Sequence, residues 1–68
     1  MIITLEYANG TYRPLGEAST LSEANFIVHS HLAALDPDND ELPAKATVWE
    51  RGERGNYVVA ETIEINTK

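Results

Sequence analysis

Residues 1–15 read MIITLEYANGTYRPL, and this stretch sets the fold class. Ile3, Leu5 and Tyr7 share one parity and Ile2, Thr4 and Glu6 the other, the period-two alternation of a strand with one buried face. Asn9-Gly10 then supplies a dipeptide that tolerates the positive φ values of a two-residue type I′ turn, so Thr11 to Leu15 should return antiparallel to the first strand. That turn sets Tyr7 opposite Tyr12 and Glu6 opposite Arg13, an aromatic pair on one face and an ion pair on the other. Pro14 has no N–H for a ladder, which puts the second strand at a sheet edge or ends it there.

Beyond the hairpin, Thr20-Leu21-Ser22-Glu23 matches a capping box, with the Thr20 hydroxyl accepting from the Glu23 amide and the Glu23 carboxylate reaching back to the Thr20 amide. A helix starting at Leu21 gathers Leu21, Ala24, Val28, Leu32 and Leu35 into one stripe, the pattern of a core-facing helix about four turns long. Asp36-Pro37 is its expected stop. Asp36 to Pro43 then holds two prolines and four acids in eight residues, a solvated loop. Ala44 to Arg51 and Asn56 to Ile65 are rich in strand formers, with Gly52-Glu53-Arg54-Gly55 as a short hairpin loop between them. The expected architecture is α+β: a single ββαββ domain over 1–68, an antiparallel sheet with one helix packed on one face. Its hairpins cover about 2–16 and 44–65, its helix about 21–35 and its acidic loop 36–43. The faces of the second hairpin resist assignment. Ala46 and Val48 oppose Thr47 and Trp49 in parity, and Tyr57, Val59, Ile63 and Ile65 share a parity with Glu61.

Sixty-eight residues leave room for one thin core, because a chain of this size buries only about 60% of the surface its unfolded form exposes. Eleven acids against five bases give a net charge of −6, which repels phosphate backbones, so direct nucleic-acid binding is not expected. No cysteine is present, which removes disulfides, thiolate metal ligands and a thiol nucleophile, and fits a reducing compartment. The N-terminus lacks a basic leader pattern, and the uncharged run Ala24 to Leu35 is too short and polar to span a bilayer, so the expectation is a cytoplasmic protein without a membrane partner.

Several constellations invite chemistry, and each has a plainer reading. His29 and His31 lie two apart, which on a helix separates the rings by about 200°, whereas zinc-binding helices use i and i+4. Asp36, Asp38 and Asp40 take the first, third and fifth places of an EF-hand-like loop, but Glu41 stands where glycine is needed, Thr47 where the bidentate glutamate belongs, and Pro43 interrupts. Ser19, Ser22 and Ser30 lie in no nucleophile elbow, and Glu50, Glu61 and Glu64 read as solvated strand positions. No catalytic residue, metal ligand or cofactor site is therefore assigned, and the protein is not expected to be an enzyme.

Phe26 falls nearly opposite the core stripe, beside Ser22, Ser30 and Ala33 and flanked by Ile27 and Ala34, on a helix face almost without charge. Either the 36–43 loop or Trp49 folds over it, or it meets another protein. Trp49 has two placements. Facing the helix it is the largest core side chain, the first choice by a small margin; if Ala46 and Val48 face the helix instead, Trp49, Tyr57 and Val59 form an aromatic patch on the open side of the sheet. The candidate partner-binding residues are Phe26, Ile27, Trp49 and Tyr57, with Asp36, Asp38 and Asp40 as an acidic patch. In general plan, a hairpin, the helix start Thr20-Leu21-Ser22-Glu23-Ala24 and a second hairpin, the chain resembles small acidic phage and mobile-element proteins, including type I anti-CRISPR inhibitors. That resemblance spans most of the chain as topology only. It implies inhibition of a host or defence complex by protein–protein contact without a cofactor; no contact motif is present from which inhibitor residues could be carried over. Phosphate mimicry by carboxylates is a thinner version, because the acids cluster in one loop rather than along a track. The alternative is a self-associating structural or accessory protein, a homodimer closed through the Phe26 face or the open sheet face.

Overall fold

The structure, a computed structural model, describes residues 1–36 and 38–65. Strands β1 (Ile2–Glu6) and β2 (Tyr12–Glu17) precede helix α1 (Leu21–Ala34), and β3 (Lys45–Arg51) and β4 (Tyr57–Glu64) follow it. The strands form one sheet in the order β2-β1-β3-β4, every neighbouring pair antiparallel. This is the expected α+β ββαββ fold. β2 and β3 run parallel with β1 between them, and α1 is the crossover that joins them across one face.

The core lies under that helix. Ile3 and Leu5 of β1 pair in register with Val48 and Ala46 of β3, and all four side chains are buried against Ala24 and Val28 of α1. Among the described residues the buried core includes three alanines, Ala18, Ala24 and Ala46, so helix and sheet approach closely over small side chains. Leu15, Ile27, Leu32, Ile63 and Ile65 close the margins, half-buried.

The helix start follows the sequence with one shift. Thr20 is extended (φ −138°, ψ 165°) and its hydroxyl accepts from the Glu23 amide at 3.1 Å, while the Glu23 carboxylate accepts from the Ser19 amide at 2.8 Å, one residue before the expected Thr20 amide. At the other end the helix finishes at Ala34, and Leu35 is already extended with its N–H on the Leu32 carbonyl at 3.2 Å. Pro37, half of the expected stop signal, lies outside the described residues. Thr20→Ala is expected to cost about 1 kcal/mol, which in a chain of this size lowers the melting temperature by about 4–8 °C. Thermal unfolding followed by circular dichroism checks this, and an unchanged midpoint would contradict the capping role.

Two expectations about the strands are corrected. The first hairpin does not close through a two-residue turn: the Gly10 N–H donates to the Tyr7 carbonyl and the Tyr7 N–H to the Thr11 carbonyl, both at 2.9 Å, so Ala8, Asn9 and Gly10 form a three-residue loop. Only Gly10 needs a positive φ (90°), and the Asn9 side chain holds the loop by accepting from the Thr11 amide and hydroxyl at 3.1 and 2.7 Å. The longer loop slips the register by one residue, and with a side-chain period of two every facing changes. Leu5 stands opposite Arg13 and Glu6 opposite Tyr12, so neither the Tyr7–Tyr12 nor the Glu6–Arg13 pair forms. Glu6 meets Lys45 of β3 instead, at 3.3 Å. The second hairpin repeats the loop, with Gly52 N–H on the Asn56 carbonyl, Gly55 N–H on the Gly52 carbonyl, and Gly55 at φ 85°.

The second correction is Trp49. Ala46 and Val48 take the helix side of β3, so Trp49 lies on the open face and not in the core. The parity conflict within β4 is resolved by a bulge. Val48 pairs with Glu61 but Trp49 with Val59, which leaves Ala60 as the extra residue. Glu61 and Ile63 therefore face the helix, while Tyr57 and Val59 turn to the open side. β2 carries a matching irregularity at Leu15, between the Ile3–Gly16 and Thr4–Pro14 pairs.

Candidate functional site

The sheet face turned away from α1 is built from rows that follow the strand register. At the first-hairpin end the row is Tyr12, Glu6, Lys45 and Glu64; the next is Pro14, Thr4, Thr47 and Thr62; the third is Glu17, Ile2, Trp49 and Val59. Arg51 and Tyr57 extend it beyond β1. Trp49 is held in place by its indole N–H, which donates to the Thr4 hydroxyl on β1 at 3.0 Å. The ring thus spans two strands from the apolar row toward the threonine row, and Thr47 is almost fully buried although no helix covers this side. Tyr12, Tyr57 and Val59 remain exposed at 65%, 47% and 52%. These rows carry three acids and two bases, so only one of the six net negative charges lies on this face.

Phe26 occupies the opposite side of the molecule, 71% exposed on the outer surface of α1. Neither the acidic loop nor Trp49 covers it, which settles that part of the sequence question in favour of an open surface. Ser22, Ser30 and Ala33 are exposed around it, whereas Ile27 packs against the core margin and offers a partner only part of its side chain. Phe26 is therefore a single apolar projection, while the open sheet face is an extended one. The two do not meet.

The acidic loop spends its carboxylates on itself. Asp36 accepts from the Asp38 amide at 3.0 Å and from Asn39 Nδ2 at 2.6 Å, and Asp40 accepts from the Asp36 amide at 2.9 Å. Two of the three aspartates are thus satisfied by loop donors rather than converging on a common point, as cation coordination requires. Among the described residues no group of three His, Cys, Asp or Glu side chains is placed to hold a metal ion. An open groove of about 390 Å³ lies between this loop, the end of α1 and the first hairpin, and Tyr7, Tyr12, Arg13, His31, Asp40 and Glu41 are among its lining residues. His29 is exposed elsewhere on the helix.

The sequence reading missed one polar contact. Asn25 Nδ2 donates to Glu61 Oε1 at 3.1 Å and to the Leu21 carbonyl at 2.9 Å, which ties α1 to the edge strand β4. Glu61, expected on a solvated strand face, is instead half-buried on the helix side, because its facing depends on the bulge at Ala60. Among the described residues, no helix is long and apolar enough to cross a membrane. Comparison with family models, with curated proteins and with solved structures finds no match to this chain.

Proposed function

We propose that the protein is a non-enzymatic protein-binding module that docks through the open face of its sheet. The observation that carries this reading is the Trp49 platform: a large aromatic ring, pinned by Thr4 and flanked by exposed Tyr57 and Val59, on a nearly neutral face of a chain whose net charge is −6. Tryptophan and tyrosine anchors on a preformed flat surface contribute most to protein–protein affinity, because they bury large area at little conformational cost. In its most specific form the module is an inhibitor of a host or CRISPR defence complex that acts by occupying a surface, in line with the phage-like plan of the chain. It works in the cytoplasm, without cofactor, metal or nucleic acid. The alternative reading is a self-associating accessory protein, which the exposed apolar start of β4, Tyr57-Val58-Val59, favours.

The test is affinity capture from host lysate with the wild-type protein, Trp49→Glu and Phe26→Glu, followed by assay of the captured complex with added protein. The expected result is a stoichiometric partner that Trp49→Glu loses and Phe26→Glu keeps, and whose activity the wild-type protein blocks. Capture that survives Trp49→Glu unchanged, or no captured partner, overturns docking through the open face.

A further inference from the structure

We propose that Asn9 is the chain's site of spontaneous deamidation, and that the hydrogen bonds of the first hairpin loop hold the reaction back until the tip of the hairpin opens. Deamidation begins when the amide nitrogen of the following residue attacks the asparagine carboxamide, and a glycine in that place leaves the nitrogen unshielded by any side chain. Of the five asparagines only Asn9 precedes a glycine; Asn25, Asn39, Asn56 and Asn66 precede Phe26, Asp40, Tyr57 and Thr67. Asn9 and Gly10 are both exposed, and no atom lies within 4 Å of where a Cβ on Gly10 would stand, so solvent reaches the pair. Asn25, by contrast, is committed to Glu61 and to the Leu21 carbonyl.

The reaction needs only water. The Gly10 nitrogen gives its proton to solvent and forms a bond to Asn9 Cγ; the Cγ–Nδ2 bond breaks, and ammonia leaves with a proton regained from solvent. The cyclic imide then takes up one water. Opening at Cγ gives aspartate, and opening at the main-chain carbonyl gives isoaspartate, with the chain routed through Cβ. In the folded loop both reacting groups are engaged. Gly10 N–H donates to the Tyr7 carbonyl at 2.9 Å, and Asn9 Oδ1 accepts from the Thr11 amide and hydroxyl at 3.1 and 2.7 Å. The attacking electron pair stands normal to the peptide plane. Aiming it at Cγ turns that plane and takes the N–H off Tyr7, and turning the carboxamide to meet it gives up the Thr11 donors. The reactive population is therefore the fraction of molecules with an open tip. The two products leave different loops. Aspartate keeps an oxygen for the Thr11 donors, whereas isoaspartate adds a methylene to the main chain of a loop whose length fixes the β1–β2 register.

The test incubates wild type and Thr11→Val at one pH and temperature, folded and in urea. Peptide mass mapping follows amide-to-acid conversion, and isoaspartyl methyltransferase labelling identifies the isoaspartate. Thr11→Val removes the hydroxyl donor and keeps the Thr11 amide, and circular dichroism confirms its fold. In urea, Asn9 should convert before any other asparagine. In the folded wild type its conversion should be at least about tenfold slower than in urea. Thr11→Val should narrow that gap about threefold, the factor a modest hydrogen bond contributes. Earlier conversion of another asparagine in urea overturns the site. Equal rates at Asn9 in the folded and unfolded wild type overturn the protection, and this comparison decides even if Thr11→Val fails to fold. A folded variant whose gap matches that of the wild type overturns the part given to the Thr11 hydroxyl.

Discussion

Leu5→Ala is expected to lower the stability of the folded chain by about 2–5 kcal/mol. Leu5 is 1% exposed on a central strand, paired with Ala46 and packed beneath the helix. Truncation loses the transfer free energy of the side chain and opens a cavity that neighbours cannot fill, because Ala24 and Ala46 are too short to reach into it. Domains are stable by roughly 0.05–0.15 kcal/mol per residue, so in a chain of 68 residues this loss is a large part of the total. Urea unfolding followed by Trp49 fluorescence checks it, with Phe26→Ala as the reference. Phe26 is the larger side chain, yet at 71% exposure its removal should change stability by no more than about 0.5 kcal/mol. Equal losses in the two variants would contradict the one-sided core.

Val28→Asp should be more damaging still near neutral pH. Val28 is fully buried between α1 and the sheet, with apolar side chains around it. An ionised carboxylate there has no partner, and an uncompensated buried charge costs about 3–5 kcal/mol. Burial raises the folded-state pKa of the introduced aspartate above the roughly 3.9 of the unfolded chain. The folded state then binds the proton more tightly, so the penalty is full above the folded pKa and is relieved as pH falls through it toward the unfolded value. The difference in unfolding free energy between wild type and variant should therefore shrink on acidification. A difference independent of pH would mean that the introduced side chain reaches solvent.

Much of the fold was legible because its signals act within a few residues. The alternation of Ile3 and Leu5 with Ile2 and Thr4 and the Thr20 hydroxyl cap depend on local backbone geometry and stand as read, whereas the helix stripe holds only at Ala24, Val28 and Leu32: Leu21 is exposed in the first turn and Leu35 lies past the helix end. The turn at Asn9-Gly10 was legible as a turn but not in its length. That dipeptide serves both a two-residue loop and a three-residue loop whose last position alone has positive φ. The open sheet face was legible only as a conditional. Its placement hung on whether Ala46 and Val48 or Thr47 and Trp49 faced the helix, and both sets have strand propensity.

The sequence by itself determined the elements, their order, the caps and glycine turns, and the acidic loop, because nearest neighbours in the chain set those preferences. Tertiary structure alone decided the register of the first hairpin, the bulge at Ala60 and the outward facing of Trp49 and Tyr57. A strand has two faces that local sequence can leave nearly equivalent, and the choice goes to the arrangement that buries Ile3, Leu5, Ala46 and Val48 together under Ala24 and Val28. That burial is shared among residues far apart in the chain. One inserted residue in β4 then lets Glu61 reach Asn25 while Tyr57 and Val59, of the same parity, remain on the open face beside Trp49.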